Sequence, residues 1–171
     1  MWREVTAFSK APFLLLGWAQ SVDQDSVKIL AVDDEEPWRE LLCRVLARFS
    51  YSVTTAADAI EALDVLEQTR FDLLITDCRM PTMDGVTFAL RLRSRGLDMP
   101  IIFISGAPPE DLHVKVGNGS DVRFLQKPFG GAVLIEAIQT MLKQQQQSGE
   151  RVIQLDSLQK IQQGLRRKLP E

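Results

Sequence analysis

Four apolar runs in this chain stop at polar side chains. They are Ile29-Leu30-Ala31-Val32 before Asp33-Asp34, Leu73-Leu74-Ile75-Thr76 before Asp77, Ile101-Ile102-Phe103-Ile104 before Ser105, and Phe124-Leu125-Gln126 before Lys127. A short apolar run bounded by turn signals reads as a buried strand. Laid side by side in a parallel sheet, the four runs bring their polar ends together at the carboxyl edge, where open α/β sheets place their ligands. The pattern therefore predicts one acidic pocket at one end of one sheet.

The helical signals between the runs agree. Trp38, Leu41, Leu42, Val45, Leu46 and Phe49 recur at the spacing of one buried helix face, and Pro37 suits its first turn. Ser52-Val53-Thr54-Thr55-Ala56 reads as a further strand, and Ile60, Leu63, Val65 and Leu66 as a second helix. Val86, Phe88, Ala89, Leu90 and Leu92 predict a third helix ending near Gly96. A short fourth helix is expected within 108–120, squeezed between two prolines and Gly117-Asn118-Gly119, and a fifth on Val133, Leu134, Ala137, Ile138, Met141 and Leu142. Five strand–helix repeats imply a doubly wound α/β fold with a five-stranded parallel sheet, because parallel strands need crossovers and crossovers are usually helices.

At 171 residues, one domain with extensions is expected. Residues 27–143 make the domain, 1–26 a flexible N-terminal extension, and 144–171 a Gln-rich joint followed by an amphipathic helix on Leu155, Leu158, Ile161, Leu165 and Leu169. The stretch 11–19 is apolar after Arg3 and Lys10, faintly like a secretory core, but it contains Pro12 and is too short to span a bilayer. A net charge of −3 gives no global attraction to nucleic acid or anionic membrane, and about thirty residues beyond the domain cannot form an ordinary DNA-binding core despite Arg166-Arg167-Lys168. Cys43 and Cys78 lack metal-ligand spacing and read as free thiols of a reducing cytosol.

The edge residues have a shared chemistry. Adjacent Asp33 and Asp34 close to Asp77 would crowd negative charge, which a hard divalent cation bound by carboxylates resolves. An aspartate carboxylate can accept a phosphoryl group as an acyl phosphate. Lys127 then supplies a point charge and Ser105 a hydroxyl donor for phosphate oxygens, with space left by Gly106. Pro128 is a candidate for a cis peptide after Lys127.

The segments Val32-Asp33-Asp34-Glu35-Glu36-Pro37, Thr76-Asp77-Cys78-Arg79-Met80-Pro81-Thr82-Met83-Asp84-Gly85, Ile104-Ser105-Gly106 and Leu125-Gln126-Lys127-Pro128-Phe129 resemble those of response-regulator receiver domains of two-component signalling. The resemblance implies the flavodoxin-like strand order 2-1-3-4-5, for which a member of that family is a standard example. It implies that Asp77 accepts phosphate from a histidine kinase or histidine phosphotransfer protein. Asp34, Asp77 and the main-chain carbonyl of Arg79 would bind Mg2+ (Mn2+ also suits such a site), with Asp33 acting through water. Ser105 and Phe124 match the switch pair in which a hydroxyl moves toward phosphate and an aromatic ring follows inward.

Function then reads as a stand-alone regulator in the cytoplasm rather than an enzyme, self-dephosphorylation aside. Its phosphorylation would alter a protein contact, the downstream partner being undefined and a phosphorylation-dependent homodimer one form of it. His113 is the sole histidine and lies on the expected short helix, so the chain reads as a receiver of phosphate, not a source. Two alternatives are a degenerate receiver acting as an interaction module and an aspartyl-nucleophile phosphohydrolase. Against the latter, Arg79 stands where an Asp-x-Asp motif needs a second acid. Asp84 reads as a turn residue before Gly85 rather than a ligand.

Overall fold

The apolar runs are strands of one parallel sheet: β1 (Lys28–Val32), β2 (Ser52–Ala56), β3 (Leu73–Asp77), β4 (Ile101–Ser105) and β5 (Val122–Gln126). The computed structural model describes residues 26–107 and 121–166, with side chains as far as Gly149. The strands lie in the order β2-β1-β3-β4-β5, the doubly wound arrangement implied above. Four helices are described: α1 (Glu36–Ala47), α2 (Ala59–Gln68), α3 (Gly85–Ser94) and α4 (Gly131–Arg166). The short helix expected within 108–120, with His113, lies outside the described residues, as does the stretch 1–25.

Both faces of the inner strands are covered, which is why their sequences are apolar throughout instead of alternating. Leu30, Val32, Leu74, Ile101 and Phe103 point to one face, where Ala59, Ala62 and Leu63 of α2 and Val86, Phe88, Ala89 and Leu92 of α3 complete a core. Ile29, Ala31, Leu73, Ile75, Ile102 and Ile104 point to the other, against Leu42 and Leu46 of α1 and Leu134, Ile135, Ala137, Ile138 and Met141 of α4. Fully burying each such large side chain stabilises the fold by roughly 1.5–3 kcal/mol.

Several helix faces differ from the sequence expectation. Helix α1 stops at Ala47 and Ser50 turns the chain at φ 60°, so Phe49 falls outside the helix and is 49% exposed. Leu41 in α1, Ile60 in α2 and Leu90 in α3 are also exposed. In α2 Leu63 is buried as expected, and the small residues Ala59 and Ala62 pack into the core beside it. Helix α4 continues without a break through 144–149, where a joint was expected. Glutamine's unbranched side chain loses little freedom in a helix, so a Gln run extends one readily.

Candidate functional site

Main-chain hydrogen bonds alone tie the strand ends together. The amide of Asp33 donates to the Ala56 carbonyl at 3.2 Å, that of Cys78 to Ile104 at 3.1 Å, and that of Lys127 to Ser105 at 2.8 Å. Each bond extends the sheet ladder one step beyond the strands and brings the edge residues level. Helix α3 starts close by: Asp84 caps it, its carboxylate accepting from the Thr87 amide and hydroxyl, both at 2.8 Å. Asp84 is thus a helix cap, in keeping with its reading as a structural residue.

Lys127 is the hub. Its ammonium donates to Asp33 Oδ2 at 2.7 Å and to Asp77 Oδ2 at 3.0 Å, with Glu35 Oε1 at 3.9 Å. The other oxygens are also engaged: Asp33 Oδ1 accepts from the Glu35 amide at 2.9 Å, and Asp77 Oδ1 from the Arg79 amide at 3.1 Å. Arg39 donates to the carbonyls of Asp33 and Asp34 at 2.7 and 3.0 Å, fixing the loop that carries them. The Lys127–Pro128 peptide is cis, as Pro128 suggested.

Burial sets the electrostatics. Asp33 is fully buried, and this desolvation raises its carboxyl above the ordinary value despite hydrogen bonds from Lys127 and the Glu35 amide. Burial disfavours the Lys127 ammonium too, but its bonds to Asp33 and Asp77 outweigh that and hold its pKa above the ordinary value. Burial, with the Asp77 carboxylate next, pushes the Cys78 thiol up to about 12. The Cys78 thiol is therefore no nucleophile at neutral pH.

Above Asp77 opens a cavity of about 430 Å³ lined by Asp34, Glu35, Trp38, Asp77, Arg79, Ser105, Gly106, Lys127 and Pro128. It contains most of the predicted site: Asp34, Asp77, Arg79, Ser105 and Lys127 line it, and Asp33 meets it through Lys127. Phe124 is partly buried, beside Phe103 in the sheet and against the core under α3. Sequence reasoning missed three contributors. Glu35 joins Asp33 and Asp77 in placing one carboxylate oxygen each within 4.8 Å of one another, whereas Asp34 lines the cavity outside that trio. The Lys127 ammonium lies over the Trp38 ring, with 4.6 Å from Nζ to the ring centroid. Arg39 holds the loop. The acidic run 33–36 was the available signal for Glu35, but no spacing rule marks which of its members turns inward.

The donor set suits a hard divalent cation, since among the described residues three carboxylates and no sulfur or imidazole converge there. Fold and pocket together define a doubly wound α/β domain with a charge-bearing carboxylate at the sheet edge. The chain belongs to the response regulator receiver domain family, whose model matches residues 29–139. Response regulator MprA of Mycobacterium bovis (strain BCG / Pasteur 1173P2) is 36% identical over 118 residues, 69% of this chain and 51% of that protein. The chain thus spans about half the length of the curated relatives it matches. Chemotaxis protein CheY4 of Vibrio cholerae superposes with a TM-score of 0.62 at 31% identity, over 68% of this chain and 98% of that one. The signal receiver domain of an HD domain-containing protein from Pseudomonas fluorescens Pf-5 gives 0.66 at 31% identity, over 74% and 93%. The chain is accordingly a receiver domain of two-component signalling, a class of regulators rather than enzymes. None of the described helices is long and apolar enough to cross a membrane.

Proposed function

We propose that Asp77 is the phosphoacceptor of this receiver, charged by a histidine kinase or a histidine phosphotransfer protein in the cytoplasm. The observation that carries the reading is the Lys127 ammonium bonded to both Asp33 and Asp77 at the floor of an open cavity. A buried cation beside a carboxylate at a cavity floor suits a reaction whose catalysis is mainly positioning and charge stabilisation. An Asp77 oxygen attacks the phosphorus of a phosphohistidine, the P–N bond breaks, and its electron pair stays on the imidazole, which takes up a proton. The product is an acyl phosphate on Asp77.

Magnesium, or manganese in its place, would be held by Asp34, Asp77 and the Arg79 main-chain carbonyl, with Asp33 acting through water. Its role is to neutralise charge as two anions approach. Lys127 supplies a second positive charge, bonded to the Asp77 carboxylate. Ser105, buried at the end of β4 on the cavity wall, donates its hydroxyl to a phosphoryl oxygen. Phe124, one strand over, follows that movement inward, and the reshaped surface changes a contact with a protein partner, a second copy of the chain included.

Incubating the folded protein with acetyl phosphate and magnesium tests this. One phosphoryl group should add at Asp77, stable in acid and lost in base, and Asp77→Asn should abolish it. A folded wild-type protein that takes up no phosphoryl group would overturn the reading.

A further inference from the structure

Among the described residues Trp38 is the one aromatic on the cavity wall, and nothing in the phosphoacceptor chemistry requires it there. It sits in the first turn of α1, directly after Pro37. Its ring lies under the Lys127 ammonium at 4.6 Å, within the range of a cation–π contact. Phe129 backs the indole, with ring centroids 5.5 Å apart and planes tilted by 37°. Phe129 itself packs against the core that holds α1 and α4 to the sheet. The aromatic pair is thus braced by the fold at one end and reaches Lys127 at the other.

The remaining contacts of Lys127 are to carboxylates that the proposed reaction diverts. Asp77 becomes an acyl phosphate, and Asp33 shares its charge with whatever cation enters. A lysine on a four-carbon stem, loosened from both before a phosphoryl oxygen reaches it, regains rotamer freedom and no longer marks one point in space. The indole face is chemically inert to these events. We propose that Trp38 is a positioning residue for Lys127, whose ring keeps the ammonium over the pocket while Asp33 and Asp77 are engaged by cation and phosphoryl group. The inference rests on the phosphoacceptor reading and deepens it by naming what keeps its buried cation in place.

The test has two independent arms. The chain has three tryptophans, so Trp2→Phe with Trp18→Phe leaves Trp38 as the sole emitter. In that background, without donor or metal, Lys127→Met should change Trp38 emission in a protein that still melts cooperatively. Unchanged emission would overturn the pairing. In the second arm, initial rates of Asp77 phosphorylation by acetyl phosphate at saturating magnesium are compared for Trp38→Leu, Trp38→Phe and the wild type. Trp38→Leu should be slower by about tenfold and Trp38→Phe within about twofold of wild type, because any aromatic face attracts the ammonium. Equal rates for Trp38→Leu and wild type, or Trp38→Phe as slow as Trp38→Leu, would overturn the role. Wild-type protein that accepts no phosphate would instead sink the proposed function, and the emission arm would then decide the pairing alone.

Discussion

Lys127 Nζ lies 2.7 Å from Asp33 Oδ2 although 94 residues of chain separate them, and neither side chain is more than 8% exposed. Breaking a buried pair costs more than the pair itself contributes, since the surviving charge loses its partner without regaining water. Lys127→Met should therefore destabilise the domain at neutral pH without divalent cation, by about 3 kcal/mol in urea melts. The pH dependence has a definite sign. The Lys127 pKa is raised above its ordinary 10.5, so the ammonium's contribution is fully present below 10.5 and is lost as pH rises through the folded-state value above it. The gap between variant and wild type should close in strongly alkaline solution, and a gap that widens there would contradict the assignment.

Gly85 is required for closeness rather than for backbone freedom. A β-carbon built there overlaps the Asp77 carbonyl oxygen and comes within 3.0 Å of the Asp77 carbonyl carbon and 3.1 Å of Thr76 Oγ1. Since the obstacle is backbone, it cannot rotate aside. Gly85→Ala should push the start of α3 away from β3, destabilising the protein by about 2–3 kcal/mol, in the upper range for overpacking. Phosphorylation should fall as well, because the displaced atoms belong to Asp77. Asp58→Ala, at the cap of α2 and outside the lining of the pocket, makes the control: about 1 kcal/mol lost and phosphorylation unchanged.

Residues whose placement follows from local patterns were readable without a structure. The strand runs, the edge residues Asp33, Asp77, Ser105 and Lys127, and the cis bond before Pro128 all follow from patterns within a few residues. Strand order needed more, namely the handedness rule and a family resemblance. What stayed hidden depends on contacts across the fold. Trp38 looked like one more member of a buried stripe, and only the return of Lys127 to the first turn of α1 makes it a pocket wall. Phe49 kept the helical spacing but lies past the end of α1. The Gln run at 144–147 looked like low complexity, yet its helix propensity suffices to carry α4 onward.

Cys78 is next to the phosphoacceptor but should be silent to alkylation. With its thiol near pKa 12, only about one molecule in ten thousand is thiolate at pH 8, and the side chain is 2% exposed. Iodoacetamide at pH 8 should modify half-buried Cys43 first and reach Cys78 only when the protein is unfolded in urea. Raising the pH should increase Cys78 labelling, as thiolate accumulates toward its pKa. Labelling of Cys78 in the folded protein as fast as Cys43 would show that the turn between β3 and α3 opens readily.

Asp34 and Glu35, side by side in the acidic run, should separate by metal titration. Family resemblance points to Asp34 as a direct metal ligand, whereas the carboxylate trio that converges among the described residues is Asp33, Glu35 and Asp77. The Glu35 side chain is 60% exposed, so it adds charge at the mouth rather than a fixed ligand at the floor. Asp34 precedes it on a loop held by Arg39 through two carbonyl bonds, an arrangement that fixes the Asp34 backbone and so limits where its carboxylate can reach. Magnesium titration should therefore find affinity reduced by about tenfold in Asp34→Asn and by less in Glu35→Gln, a scale set by losing a well-placed group at a metal site. Salt adds a second criterion, because an exposed charge is screened and a direct ligand is not. The Glu35→Gln deficit should shrink in 0.5 M or so potassium chloride, a Debye length of only several ångströms, while the Asp34→Asn deficit persists. The reverse order would make Glu35 the ligand and leave Asp34 to the surface.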